Sequence, residues 1–179
     1  MNGAEPLNRL GEDEARAALA QCCGSGRWVS EMLARRPFAG REALLRTSDR
    51  VWWSLDERDW LEAFRSHPRI GEKKAEAGQT ERERRWSAGE QAGMGTAAEQ
   101  TRAAIADGNR QYEERFGYIY IVCASGRSAD EMLQLLRERL GNCPETEIRV
   151  AAAEQARITR LRLEKLLDTD SPRHPITTP

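Results

Sequence analysis

Residues Tyr118 to Ala124 read YIYIVCA, the one run in the chain rich in β-branched and aromatic side chains. A strand needs a neighbour, because its backbone N–H and C=O groups must find partners once buried. No second segment of comparable quality is present. The run is therefore expected as a buried extended piece or a helix entry, with helices supplying the rest of the fold.

The remaining sequence reads that way. Glu12 to Gln21 is alanine-rich and stops at Cys22-Cys23-Gly24. Trp28, Met32 and Leu33 fall at helical spacing before Arg36-Pro37, where proline ends the turn. Arg41 to Trp53 repeats apolar residues at Leu44, Leu45, Val51 and Trp52. Asp56 is an N-cap candidate ahead of an apolar stripe at Trp60, Leu61 and Phe64. Thr96-Ala97-Ala98-Glu99 has capping-box form and opens a helix through Tyr112 and Phe116, with Gly117 as its stop. Ser128 with Glu131 opens another that ends at Leu140-Gly141, and Pro144 starts a last helix to about Leu167. The expected fold is an all-α, single-domain bundle of about eight helices over residues 1–168. A flexible C-terminal tail, 169–179, follows; DTDSPRHPITTP carries three prolines and no apolar pattern.

Composition narrows the function. The hydrophobic fraction, 39%, fits a folded globular chain of 179 residues. A formal net charge of −1 lacks the basic excess that nucleic-acid binding needs. Glu81-Arg82-Glu83-Arg84-Arg85 mixes both signs and reads as a solvated helical face. No apolar run reaches the roughly 18 residues of a membrane helix, and MNGAEPLNRLGEDEA lacks the layout of a secretory signal. Cys22, Cys23, Cys123 and Cys143 form no C-x-x-C pair and have no histidine nearby, so neither a metal site nor a disulfide framework is expected. They read as small apolar fillers, reduced in a cytoplasmic protein. The terminal Thr177-Thr178-Pro179 is not a peroxisomal signal.

Three places could carry chemistry. His67, one of two histidines, sits in FRSHPRIG. A histidine in the last turn of a helix suits the dipole and can bond a carbonyl. Equally, Pro68 forbids continuation and restricts His67 itself, holding a group that titrates near neutrality at a helix end. His174 lies in the tail. Glu90, in SAGEQAGM, can close a capping box with Ser87, or serve a ligand; Gly89 and Gly93 cost about 1 kcal/mol each against alanine in a helix, which suggests close approach by backbone or ligand. In the last helix, at about 100° per residue, Arg162 lies within roughly 40° of Ile158 and roughly 20° of Gln155. Arg160 points to the far side. A guanidinium on the apolar face needs an anion, either a structural carboxylate or a bound ligand.

CCGSGRW, RRPF, WLEAFRSHPRIG, SAGEQAGM, NRQYEERFGYIYIVCASG and EIRVAAAEQARITRLRLEKLL together resemble 2-oxo-4-hydroxy-4-carboxy-5-ureidoimidazoline (OHCU) decarboxylase, from about Leu7 to Leu167. The resemblance implies an all-α, cofactor-free enzyme of urate breakdown that converts OHCU to (S)-allantoin and carbon dioxide. It implies His67 as catalytic histidine, Glu90 as its acidic partner and Arg162 as the arginine for the substrate carboxylate. Gln91 would contact the ring, Pro68 would shape the pocket, and Tyr120 and Ile121 lie where backbone meets substrate. Phenylalanine is usual where Tyr120 stands, so its hydroxyl needs a partner. Either His67 or Glu90 could deliver the proton to carbon. Such proteins are often homodimers, although no heptad seam marks an interface. Two other readings are weighed against this one. In a non-catalytic helical interaction module, His67 would be a cap and Arg162 a structural ion; a nucleic-acid-binding helical protein is disfavoured by the charge.

Overall fold

Capping and glycine chemistry place the helix ends. The computed structural model describes residues 3–70 and 99–169. Among them run eight helices: α1 (Glu5–Arg9), α2 (Glu12–Cys22), α3 (Gly26–Ala34), α4 (Arg41–Ser54), α5 (Glu57–Arg65), α6 (Glu99–Phe116), α7 (Ala129–Arg139) and α8 (Pro144–Thr169). No strand occurs among the described residues, so the all-α class holds. Asp56 caps α5 by accepting from the Arg58 and Asp59 amides. Ser128 caps α7 through Glu131 N, and Glu131 returns to the Ser128 amide. Gly117 ends α6 at φ +80°, the left-handed region that glycine enters without steric cost. α8 continues to Thr169, two residues past the expected stop at Leu167. Thr96–Ala98 of the proposed α6 capping box, and the tail beyond Thr169, lie outside the described residues.

The chain groups into two compact units. One comprises residues up to Leu55 together with those from Thr159 onward; the other spans Asp56–Ile158. In the first, α1 was not expected from the sequence, and it owes its place to distant partners. The Arg36 guanidinium donates through Nη2 to the carbonyls of Leu7, Asn8 and Leu10 at 2.7, 3.0 and 2.6 Å. The Asn8 side chain both donates to the Phe38 carbonyl and accepts from the Phe38 amide, at 2.8 and 2.9 Å. Arg36 thereby satisfies carbonyls at the end of a helix too short to stand alone. Leu44, Leu45, Val51 and Trp52 of α4 are all buried. Arg41 at the start of α4 forks onto Asp168 near the end of α8, at 2.7 and 3.4 Å. That hydrogen bond holds the Asp168 carboxyl below its ordinary range.

In the second unit α6 and α7 pack closely over a core of Ile70, Ile105, Tyr112, Tyr120, Val122, Ala124, Ala129, Met132 and Leu136. Gly108 permits the approach: a Cβ there would stand 2.6 Å from Leu136 Cδ2 and 3.2 Å from its Cγ. The four cysteines form no disulfide. Cys22, Cys23 and Cys123 are buried fillers, but Cys143 is exposed, a correction to the sequence reading. It sits just ahead of α8, where its Sγ bonds Thr146 Oγ1 at 3.2 Å.

Gly108→Ala sets a propensity gain of about 1 kcal/mol against overpacking of about 1–3 kcal/mol, because Leu136 is fully buried and has little room to move. Urea unfolding should show net destabilisation. In a Leu136→Ala background the same substitution should become stabilising.

Candidate active site

α5 carries the first candidate to its position. Trp60, Ala63 and Phe64 bury its apolar side, and Arg65 ends the helix. Ser66 closes the last turn with its hydroxyl on the Ala63 carbonyl at 2.7 Å, and the His67 amide donates to the Phe64 carbonyl at 3.1 Å. Pro68 then stops the ladder. His67 and Pro68 are half-buried, and His67 Nε2 is sequestered from solvent. Beyond them, Arg69 pairs through two nitrogens with the Glu113 carboxylate at 2.6 and 2.9 Å, and Asn109 Nδ2 donates to the Ile70 carbonyl at 3.1 Å.

Tyr120 and Ile121 lie in the run that follows Gly117, which is neither helix nor strand and, from Tyr120 to Ala124, is buried. No strand pairs with it among the described residues, and side chains take the strand's role. Arg139 Nη1 donates to the Ile121 carbonyl at 2.7 Å. Glu154 Oε2 accepts from the Cys123 amide at 2.7 Å and from Arg127 at 3.1 Å. The Tyr120 hydroxyl finds its partner in the Met132 carbonyl at 3.4 Å. Arg139 stacks over the Tyr120 ring, with Cζ 4.7 Å from the centroid.

Behind the segment is a buried polar cluster. Arg139, 6% exposed, pairs with the fully buried Glu147 at 2.6 Å. Glu147 also accepts from the Tyr112 hydroxyl and, at 2.7 Å, from Asn142 Nδ2. Burial opposes the Arg139 charge, but Tyr112 and Glu147 outweigh it and hold the guanidinium above its ordinary range. Burial above all drives the Tyr112 hydroxyl far up, against the pull of Arg139 and with help from its bond to Glu147. Burial likewise pushes Tyr118 and Tyr120 up to about 12. All three phenols are therefore neutral at pH 7. Tyr120 and Tyr118 meet the Tyr112 ring edge-on, with centroids 5.2 and 5.8 Å away. The Phe64 ring, three residues before His67, meets Tyr118 at 5.4 Å.

His67, Pro68, Tyr120 and Ile121 thus belong to one unit, linked by the Phe64–Tyr118 contact. Arg162 belongs to the other; it is 6% exposed, whereas the Arg160 side chain is 43% exposed and pairs with Asp49 and Glu164. That difference follows the helical faces read from the sequence. Glu90 and Gln91 lie outside the described residues. No group of three or more His, Cys, Asp or Glu among the described residues is placed to hold a metal ion. Sequence reasoning passed over Arg139, Glu147, Glu154 and Asn109. For Asn109 a signal existed: it shares a face with Ile105 and Tyr112, four residues after one and three before the other.

Residues 8–164 match the family model described as OHCU decarboxylase. A uric acid degradation bifunctional protein of Arabidopsis thaliana is 35% identical over 94% of this chain. An OHCU decarboxylase of Haloferax volcanii is 24% identical over 93% of this chain and 96% of its own length. A crystal structure of an OHCU decarboxylase in the presence of (S)-allantoin superposes with a TM-score of 0.74 at 34% identity, covering 88% of this chain and 99% of that one. The chain spans about half (53%) of the Arabidopsis protein, and 32% of a Bacillus subtilis bifunctional relative.

Removing one member of a buried ion pair strands the other charge. Arg139→Met and Glu147→Gln should each cost about 3–5 kcal/mol in urea unfolding. The double variant should cost clearly less than the sum, since neither charge is left alone.

Proposed function

This chain belongs to the OHCU decarboxylase family, and we propose that it decarboxylates OHCU to (S)-allantoin and carbon dioxide in urate breakdown. The observation that carries the reading is the match of residues 8–164, which contains every motif bearing the candidate residues. The substrate carbon that bears hydroxyl and carboxylate adjoins a ring C=N. As the bond to the carboxylate breaks, its electron pair enters the ring and the C=N nitrogen takes up a proton. Carbon dioxide leaves. A proton then reaches the neighbouring carbon on one face, the hydroxyl proton departs, and the hydroxyl becomes a carbonyl. One proton replaces one carbon dioxide overall, and the ring itself serves as electron sink, so the chemistry calls for no cofactor.

In this scheme His67 moves protons, which suits an imidazole held half-buried at a helix end. Glu90 orients the ring or hydroxyl by hydrogen bonding and shares the proton movements. Arg162 binds the leaving carboxylate through two parallel hydrogen bonds. Gln91 contacts the ring, Pro68 shapes the wall, and the backbone at Tyr120 and Ile121 meets the substrate. The pins from Arg139 to Ile121 and from Glu154 to Cys123 support that last role, because they tie down the backbone on either side of Val122. We place the reaction in the cytoplasm, within residues 1–168, and take a homodimer as the working assembly. No helix among the described residues is long and apolar enough to cross a membrane.

Mixing this protein with urate, urate oxidase and hydroxyisourate hydrolase should accelerate the growth of the (S)-allantoin circular dichroism signal. A rate equal to the uncatalysed background would end the proposal. His67→Gln should lower kcat by about a hundredfold or more with far-ultraviolet dichroism unchanged. Arg162→Gln should raise KM by about tenfold or more, the loss of a charge-assisted pair. Arg160→Gln should leave both parameters near wild type.

A further inference from the structure

α6 presents two polar side chains, one helical turn apart, to the residues that follow His67-Pro68. We propose that Asn109 is a positioning residue for His67: its Nδ2 donates to the Ile70 carbonyl at 3.1 Å and thereby fixes the turn that aims the imidazole. The inference rests on the reading of His67 as the proton-moving group.

Asn109 is an expensive choice at its position. It is 5% exposed, on the same face of α6 as the core residues Ile105 and Tyr112. Its Oδ1 is buried with no hydrogen-bond partner among the described residues. Burying a carboxamide is costly unless its groups are met, and an apolar residue on this face would avoid that cost. What the carboxamide supplies in exchange is one donor to one carbonyl, three residues past His67. Four residues along α6, Glu113 grips Arg69 through two hydrogen bonds at 2.6 and 2.9 Å. Consecutive residues of the turn are thus each tied to α6.

The placement of these ties matters because of Pro68. Its ring fixes its own φ and restricts the backbone of His67. The start of the turn is set as well, by the His67 amide on the Phe64 carbonyl. The torsional freedom that remains lies at Pro68 ψ and at Arg69 and Ile70, beside the two ties. Ile70 also buries its side chain in the core beside Ile105. With both ends held, the imidazole direction is defined relative to α6 rather than by α5 alone.

A purely structural anchor would make the same hydrogen bond, so stability alone does not separate the two roles. The test uses Asn109→Ala and Glu113→Gln, with steady-state kinetics, thermal unfolding and 1H–15N correlation spectra of the imidazole, the His67 signals being assigned by their loss in His67→Gln. Asn109→Ala should lower kcat by about tenfold or more with KM within about threefold of wild type, and should move the His67 ring resonances. Glu113→Gln should do the same to a smaller extent. Unchanged kcat and unchanged resonances, with only a lower Tm, would overturn the proposal. If Asn109→Ala does not fold, Glu113→Gln decides on the same two readouts. Should His67→Gln keep wild-type turnover, the parent reading falls. The resonances then decide alone: shifted in Asn109→Ala they support the positioning role, unshifted they end it.

Discussion

The buried pair of Arg139 and Glu147 is the interaction on which the second unit depends. An all-helical protein satisfies its backbone within each helix, but Tyr118 to Ala124 is not helical and has no strand beside it among the described residues. Its groups must be met by side chains or lose their hydrogen bonds in the core. Arg139 reaches the Ile121 carbonyl from α7, and it can sit buried there because Glu147 of α8 neutralises it. Glu147 in turn collects Tyr112 from α6 and Asn142 from the turn before α8. One carboxylate therefore ties three helices to the segment. Replacing the pair with hydrophobes could preserve packing, but the Ile121 carbonyl would then lose its donor.

The second pin follows the same logic with the signs reversed. Glu154 accepts from the Cys123 amide, and its own charge is met by Arg127 and Arg157. An arginine serves the carbonyl and a glutamate serves the amide, two residues apart. Such pins meet buried backbone groups that a neighbouring strand would otherwise meet.

Local signals in the sequence carried the helix boundaries. Asp56, Ser128 and Gly117 each act through atoms within a few residues of themselves, so their spacing sufficed. α1 was missed because its support comes from Arg36 and Phe38, about 30 residues away in the chain, and no window of sequence contains both. The buried cluster was missed for a different reason. Arg139 at the C-terminal end of α7 and Glu147 in the first turn of α8 are where helix dipoles favour those charges on any solvated surface. Their pattern is that of exposed residues, and only packing reveals them as core. Cys143 erred in the opposite direction, read as a filler and found exposed.

Arg139 and Arg162 together mark where sequence reasoning about a site reaches its end. Both are 6% exposed, yet helical phase pointed to Arg162 alone, since it lies mid-helix, flanked by apolar positions. Burial shows that a guanidinium's charge must be answered without saying by what. For Arg139 the answer is Glu147, within the fold. For Arg162 the scheme proposed above adds the substrate carboxylate, an anion that would depart as neutral carbon dioxide. A cation placed for a transient anion and one placed for a permanent anion leave the same trace in a sequence. Chemistry separates them: a structural pair loses stability when it is broken, whereas a substrate-binding arginine loses affinity.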